Sequence, residues 1–202
     1  MLEHHAEAGE IRSVTRPRLW DMDGEPAHAT MEQLIQFEPA MPDTVRIDCR
    51  FVSQREPADR WGTDAIPRHQ ELPALYFIAR LSEVVTYVGD RPWTDAPTTR
   101  LELNFPWKQV APAERWMACA SPDGTTGAGV FSPSATEVWN YGGFGDLLAP
   151  AQNGTAGNAT VHVAPLATMA LAPDAEITFT YWLILGDPES VRARAEALRQ
   201  KD

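Results

Sequence analysis

The sequence predicts an all-β protein, an antiparallel two-sheet β-sandwich with a short C-terminal helix. Three observations predict this fold class. Short apolar or alternating segments recur at a spacing of about ten residues. Turn residues separate them, with 17 prolines and 13 glycines spread over the 202 residues. No β-α-β alternation or glycine-rich phosphate loop interrupts the pattern, so nucleotide-binding α/β folds are disfavoured.

The clearest local signal is a pair of hairpins in the middle of the chain. Trp116–Ala120 is an apolar run, Pro122-Asp123-Gly124 is a turn signal, and Gly127–Phe131 returns as the next strand. An Asp-Gly pair between apolar segments favours a tight hairpin, because glycine accepts a positive φ. A third strand is predicted at Glu137–Tyr141, directly before Gly142-Gly143.

The N-terminal third contains a polar start and two strands. Residues 1–10, MLEHHAEAGE, are expected to be a disordered or tag-like lead-in, so that a single sandwich domain spans residues 11–202. Residues 28–37 fit either a helical or a strand periodicity. We favour a strand, because Thr44–Ser53 follows with strict alternation of apolar and polar residues.

The C-terminal half repeats the strand pattern and then changes to a helix. Strands are predicted within Gln70–Ala79 and within Val161–Leu171, and the most regular alternation is at Ile177–Leu185. Asp187 then provides a helix N-cap with Pro188 at the first helical position. The pattern predicts a terminal helix at about 188–200.

The charge and the cysteines limit the partners and the chemistry. A formal net charge of -11 disfavours nucleic acid and anionic membranes as partners, because both would be repelled. A neutral or weakly charged carbohydrate meets no such barrier. Cys49 and Cys119 are expected to be buried free thiols, with a single disulfide as the alternative. The sequence leaves the need for a cofactor unknown.

Membrane and export signals are not predicted. No apolar segment reaches the roughly 20 residues that a membrane span requires. The polar N-terminus lacks the apolar core of a secretory signal peptide. We therefore expect a soluble protein, and the sequence does not indicate its compartment.

Aromatic residues provide the candidate substrate-binding site. Five of the seven tryptophans lie outside regular apolar alternation: Trp20, Trp61, Trp93, Trp107 and Trp139. Of these, Trp61, Trp93 and Trp139 are selected as substrate-binding candidates, together with Tyr141, which follows Trp139 beside the two glycines. Indole and phenol rings offer a flat apolar face with a polar edge, which suits stacking on a sugar ring. The alternative is that these side chains cover the edges and ends of the sandwich.

His69, Glu71 and Tyr76 are the candidate catalytic residues. A histidine and a glutamate two positions apart on a strand share a face, so His69 and Glu71 could form an acid/base pair or contribute two metal ligands. Tyr76 would complete a proton-abstraction site. The alternative is a solvated histidine beside a surface carboxylate. His162 alternates with two valines and is expected on the polar face of its strand. No metal-binding signature is present, so no metal site is predicted.

Four segments carry a resemblance to known proteins: QELPALY, VVTYVGDRPWT, ERWMACASPDGTTGAGVFSP and YWLILGDPESVRARAEAL. Together they resemble β-sandwich domains of bacterial carbohydrate-active and related uncharacterised proteins. The resemblance covers roughly residues 70–200 and implies the same fold. Such proteins are often longer, which would make this chain a fragment that lacks N-terminal strands. The shared motifs are turns, so they assign no catalytic residue.

These observations predict a carbohydrate-active protein, a polysaccharide lyase or a glycoside hydrolase that acts in an aromatic-lined cleft. A non-catalytic carbohydrate-binding module and a structural or accessory sandwich domain are the alternatives. A histidine or tyrosine within hydrogen-bond reach of a carboxylate, inside an aromatic-lined cleft, would favour the enzyme. An apolar patch without convergent polar groups would favour a docking domain.

Overall fold

The computed structural model describes residues 1–18, 24–56, 66–103, 107–144 and 159–201. The fold is an all-β antiparallel sandwich with two sheets and a short C-terminal helix, as predicted. In chain order, the elements are β1 Glu3–Glu7, β2 Glu10–Thr15, β3 Ala29–Glu38, β4 Met41–Ser53, β5 Arg68–Glu71, β6 Leu75–Ile78, β7 Glu83–Thr86, β8 Thr99–Leu101, β9 Lys108–Val110, β10 Trp116–Ala120, β11 Gly127–Phe131, β12 Trp139–Phe144, β13 Thr160–Met169, β14 Glu176–Leu185 and α1 Pro188–Arg199.

The chain divides into two compact units. The first unit comprises Met1–Gln70 and Thr168–Thr180, and the second comprises Glu71–Ala167 and Tyr181–Asp202. Strands β13 and β14 therefore contribute residues to both units.

The first unit is an antiparallel sheet in the order β1-β2-β3-β4, followed by the first half of β14. Residues 1–10 were expected to be a lead-in without regular structure. Instead, β1 pairs with β2 from Glu3 to Glu7, and Gly9 turns the chain with a φ of 80°. The ambiguous segment at 28–37 forms strand β3, in agreement with the favoured interpretation, because it pairs with β2 on one side and β4 on the other.

The second unit contains two sheets. One consists of the second half of β14, then β11, β10, β7 and β8. The other has the order β13-β12-β9, with β6 pairing along β13. The predicted hairpin is present between β10 and β11, where Gly124 adopts a φ of 73°. The Asp123 carboxylate stabilises this turn by accepting the backbone N–H of Thr125 at 3.1 Å.

Helix α1 packs on β10 and β11 through Val191, Ala195 and Leu198. It begins as predicted, because the Asp187 side chain accepts the N–H of Ser190 at 2.7 Å. The close packing requires Gly129, where a Cβ atom would lie 2.5 Å from a Val191 methyl carbon. No helix among the described residues is long and apolar enough to cross a membrane.

A buried ion pair fixes the helix to the sheet. Glu114 is fully buried, and its carboxylate accepts hydrogen bonds from Arg192 at 2.6 and 2.8 Å. It also accepts the indole N–H of Trp116 at 2.7 Å and the backbone N–H of Trp93 at 2.6 Å. Burial alone would raise the pKa of Glu114, but these hydrogen bonds outweigh burial and hold the pKa below its ordinary value. Glu114 is therefore a buried carboxylate that is ionised and fully hydrogen-bonded.

Both cysteines are free and buried, as predicted. Burial is the largest influence on each thiol, and it raises the pKa of Cys49 to about 11. It raises the pKa of Cys119 as well. Since the thiolate is the reactive form, neither side chain is poised for nucleophilic chemistry at neutral pH.

Removing the cation of the buried pair should destabilise the protein strongly. We expect Arg192→Leu to lower the free energy of unfolding by about 3–5 kcal/mol, because the Glu114 charge would remain buried without its partner. Urea denaturation followed by tryptophan fluorescence measures this loss.

Arg194→Leu, on the same helix, is the matched control. The Arg194 guanidinium donates to the carbonyl oxygen of Leu185 at the surface, 3.1 Å away. Its replacement should cost less than about 1 kcal/mol. Equal losses in the two variants would contradict a special role for the pair of Glu114 and Arg192.

Candidate functional site

One face of the β13-β12-β9 sheet in the second unit carries a cluster of polar and aromatic side chains. Tyr76 of β6 pairs directly with His162 of β13, which pairs with Gly142 of β12. Asn140, two residues before Gly142, pairs with Gln109 of β9. Residues that are opposite each other, or two apart on a strand, share a face. We call this surface the His162 face.

The opposite face of the same sheet belongs to the core. Trp139 and Tyr141 alternate with Asn140, so they point away from the His162 face. Trp139 has no exposed surface, and Tyr141 is 6% exposed. Side chains without accessible surface offer no platform for a sugar ring. The structure thus places these two predicted substrate-binding residues in the hydrophobic core.

His162 lies beneath two aromatic rings. Its ring centroid is 4.9 Å from that of Tyr76 and 4.5 Å from that of Trp107. Gly142 has no side chain opposite His162, which leaves space for the neighbouring indole ring. Trp107 also packs edge-on against Phe144 at 4.3 Å. His162 therefore lies on the same face as the polar side chains, as the alternation predicts, and the aromatic rings leave it fully buried.

Glu71, the last residue of β5, places its carboxylate between a histidine and an amide. Its Oε2 atom is 3.4 Å from Nε2 of His162, and its Oε1 atom accepts a hydrogen bond from the Asn140 amide at 3.2 Å. At 3.4 Å the imidazole is within ion-pair reach but beyond the usual hydrogen-bond length. Accordingly, neither imidazole nitrogen has a hydrogen-bond partner among the described residues.

The surroundings of Glu71 favour its ionised form. His162 is the largest influence that lowers the pKa of Glu71, partial burial opposes it, and Asn140 adds a smaller lowering effect. The side chain remains 32% exposed, whereas His162 is 1% exposed. The accessible base of the His162 face is therefore the Glu71 carboxylate, which can accept a proton from a bound molecule.

Tyr76 supplies an exposed aromatic ring with a hydroxyl group beside this carboxylate. The residue is 60% exposed. Partial burial and, to a lesser degree, the negative charge of Glu71 raise the pKa of the Tyr76 phenol. It therefore stays protonated at neutral pH and can donate a hydrogen bond or a proton. No cluster of three or more potential metal-ligating side chains occurs in the described part of the chain.

The structure distributes the predicted site residues among several places. Glu71 and Tyr76 both lie against His162. His69 is exposed on β5 and belongs to the first unit. The Trp93 ring packs against both the helix and the sheet. The guanidinium carbon of Arg199 in α1 lies 4.9 Å from its ring centroid, and the ring centroid of Phe131 in β11 is 6.4 Å away. Trp61 lies outside the described residues.

Two contributors to the cluster, Asn140 and His162, were not predicted as site residues. Trp107 was one of the five tryptophans that lie outside the apolar alternation, but it was not among the selected substrate-binding residues. The sequence pattern does indicate the orientation of Asn140, because a polar residue between Trp139 and Tyr141 on a strand must face away from them. His162 shows the same pattern between two valines. Neither pattern shows which distant strand supplies the partner.

The burial of His162 leads to a stability prediction. Replacing His162 with leucine should leave the free energy of unfolding unchanged or raise it by about 1 kcal/mol, because two buried nitrogens without hydrogen bonds are removed. The lost interaction with Glu71 should matter little to folding, since that carboxylate is screened by solvent. Urea denaturation measures the difference.

Leu166→Ala, a buried site on the same strand, is the control for core packing. It should cost about 2–5 kcal/mol through the cavity that it leaves. A comparable loss in His162→Leu would show that His162 is part of the packing and that its burial serves stability.

Comparisons with known proteins bear on the fold alone. No protein-family model and no curated protein sequence matches the chain. A solved structure of a candidate aldose 1-epimerase from Escherichia coli K12 is similar, with a TM-score of 0.51 and 14% identity. The similarity covers 92% of this chain and 68% of that one. A second such candidate, from Klebsiella pneumoniae, has a TM-score of 0.42 at 11% identity, covering 95% of this chain and 54% of its own.

Proposed function

We propose that this protein is a carbohydrate-acting enzyme that interconverts the anomers of an aldose on the His162 face. One observation carries the proposal: the ionised, partly exposed Glu71 carboxylate is held by His162 and Asn140 beside the exposed ring of Tyr76. The similarity in fold to a candidate aldose 1-epimerase supports the choice of a sugar as the ligand.

Anomer exchange requires a base and a proton donor. The base removes the proton of the anomeric hydroxyl group while the bond between C1 and the ring oxygen breaks and the ring oxygen receives a proton. Rotation about the C1–C2 bond and closure of the ring then give the other anomer, and both protons return. In this scheme the Glu71 carboxylate takes the proton of the anomeric hydroxyl group, and the Tyr76 phenol donates a proton to the ring oxygen. His162 is covered by rings, so it supports Glu71 without touching the sugar.

The contacts of Glu71 favour this reaction over hydrolysis by paired carboxylates. A glycoside hydrolase of that kind places two carboxyl groups roughly 5–10 Å apart across the glycosidic bond. Here the partners of Glu71 are an imidazole and a neutral amide. The finer expectation of a polysaccharide lyase or a glycoside hydrolase stays a prediction, which the same assay tests through its products.

The exposed ring of Tyr76 favours a second candidate, a non-catalytic carbohydrate-binding protein. A ring that is 60% exposed on the surface of a sheet can stack on a sugar whether or not Glu71 transfers protons. Turnover separates the two candidates, because a binding protein retains the sugar and leaves its rate of anomer exchange unchanged.

The decisive change is Glu71→Gln, which keeps the shape of the side chain and removes the base. We expect the wild-type protein to accelerate anomer exchange of one or more aldoses, and Glu71→Gln to lower kcat by about 100-fold or more. Polarimetry on freshly dissolved α-anomers measures the rate. Because Glu71 has a lowered pKa, activity should persist as the pH falls to about 5 and should disappear below the Glu71 pKa, where the base is protonated.

Glu83→Gln is the control, since Glu83 pairs with Arg100 on the other sheet of the unit. Its activity should equal that of the wild type. Sugar binding without acceleration would establish the binding protein, and unsaturated uronate products from a polysaccharide would indicate a lyase. Neither binding nor acceleration across a panel of aldoses would refute the proposal.

A further inference from the structure

We propose that Asn140, held in place by Gln109, is the positioning residue that orients the Glu71 carboxylate for its role as base. This inference rests on the proposed function of the same site and assigns a role to two amides that act through Glu71 and not on the sugar itself. Asn140 contacts Glu71 directly, and Gln109 contacts Asn140.

The two oxygens of Glu71 have different partners. Oε1 accepts from the Asn140 amide at 3.2 Å, and Oε2 faces His162 at 3.4 Å. Two contacts on separate oxygens define both the position and the plane of a carboxylate. The imidazole contact is long and is not a formed hydrogen bond. The directional part of this arrangement therefore comes from Asn140.

The chemistry of the three groups allows one direction of hydrogen bonding. An ionised carboxylate only accepts, so Asn140 must present its NH2 group to Glu71. Its carbonyl oxygen then faces β9, where the Gln109 NH2 group donates to it at 3.1 Å. Asn140 and Gln109 are directly opposite each other in the β9–β12 pair. A flip of the Asn140 amide would break both hydrogen bonds.

A neutral donor suits this position. His162 from β13 and Tyr76 from β6 are the titratable side chains that interact with Glu71 among the described residues. Asn140 adds a donor without adding a charge, and it lowers the pKa of Glu71 in the same sense as His162. The carboxylate keeps its free lone pairs on the exposed side, where a sugar hydroxyl group can reach them.

Two variants test the chain of hydrogen bonds from Gln109 through Asn140 to Glu71, and each replaces one of the two donating amides with a carboxylate. Asn140→Asp replaces the donor with a carboxylate of the same shape. Gln109→Glu changes an exposed side chain that does not contact Glu71, and it turns the donor to Asn140 into an acceptor. The Asn140 amide should then turn its NH2 group towards residue 109 and its oxygen towards Glu71. Gln109→Met is the matched control. It removes the hydrogen bond that residue 109 donates to Asn140, but it adds no acceptor that would stabilise the flipped Asn140 amide.

We expect Asn140→Asp to shift the acid limb of the kcat profile to higher pH and to lower kcat at pH 5 roughly tenfold, with KM little changed. Gln109→Glu should move the profile in the same direction by a smaller amount. Gln109→Met should remain within about threefold of the wild type. A purely structural role of Asn140 would change stability and leave the acid limb in place.

Carboxyl ¹³C NMR titration of Glu71 supplies a readout that does not depend on turnover. The Glu71 resonance, assigned with Glu71→Gln, should titrate at higher pH in Asn140→Asp and Gln109→Glu than in the wild type. An unchanged titration in Gln109→Glu, whose exposed site does not endanger folding, would overturn the positioning role. A wild type without anomer exchange would instead refute the proposed function, and the titration would still decide the role of Asn140.

Discussion

The buried carboxylate of Glu114 is the constraint on which the second unit depends. A charge without solvent must receive hydrogen bonds, and Glu114 obtains them from helix α1, from β10 and from the loop at Trp93. These three parts of the chain must therefore meet at one point. Trp93 even adopts a φ of 60°, which is uncommon for an aromatic residue, while its N–H donates to Glu114. The same cluster holds α1 over one face of β10 and β11.

Glu71 differs from Glu114 in that its carboxylate has unfilled hydrogen-bonding capacity and accessible surface. Glu114 uses both oxygens for four hydrogen bonds and has no accessible surface, so it has neither room nor free lone pairs for a ligand. Glu71 has one formed hydrogen bond, one longer contact and a third of its side chain exposed. Both groups have a lowered pKa. What distinguishes Glu71, the proposed base, from the structural carboxylate of Glu114 is thus the remaining capacity to accept hydrogen bonds and not the direction of the pKa shift.

Sequence periodicity predicted the strands and the helix well, because alternation, turn residues and capping are local properties. The sequence also suggested Glu71 and Tyr76 as site residues, and the structure places both next to His162. Periodicity could not show which face of β12 would be covered. Trp139 and Tyr141 therefore looked available for stacking, although the core occupies their side, and Asn140 between them faces outward. The burial of His162 could not be predicted for the same reason, since alternation gives the face of a residue but not the rings that lie over it.

The His162 face exists only when its strands are paired. Tyr76, His162 and Gly142 form one row across three strands, and the Trp107 ring packs against His162. Each member comes from a different strand or loop, so none of their local sequences encodes the site. Glu71 enters from β5 and meets the row at His162. A polar site assembled across strands in this way costs stability at the buried imidazole and gains a carboxylate that is fixed, ionised and open to solvent.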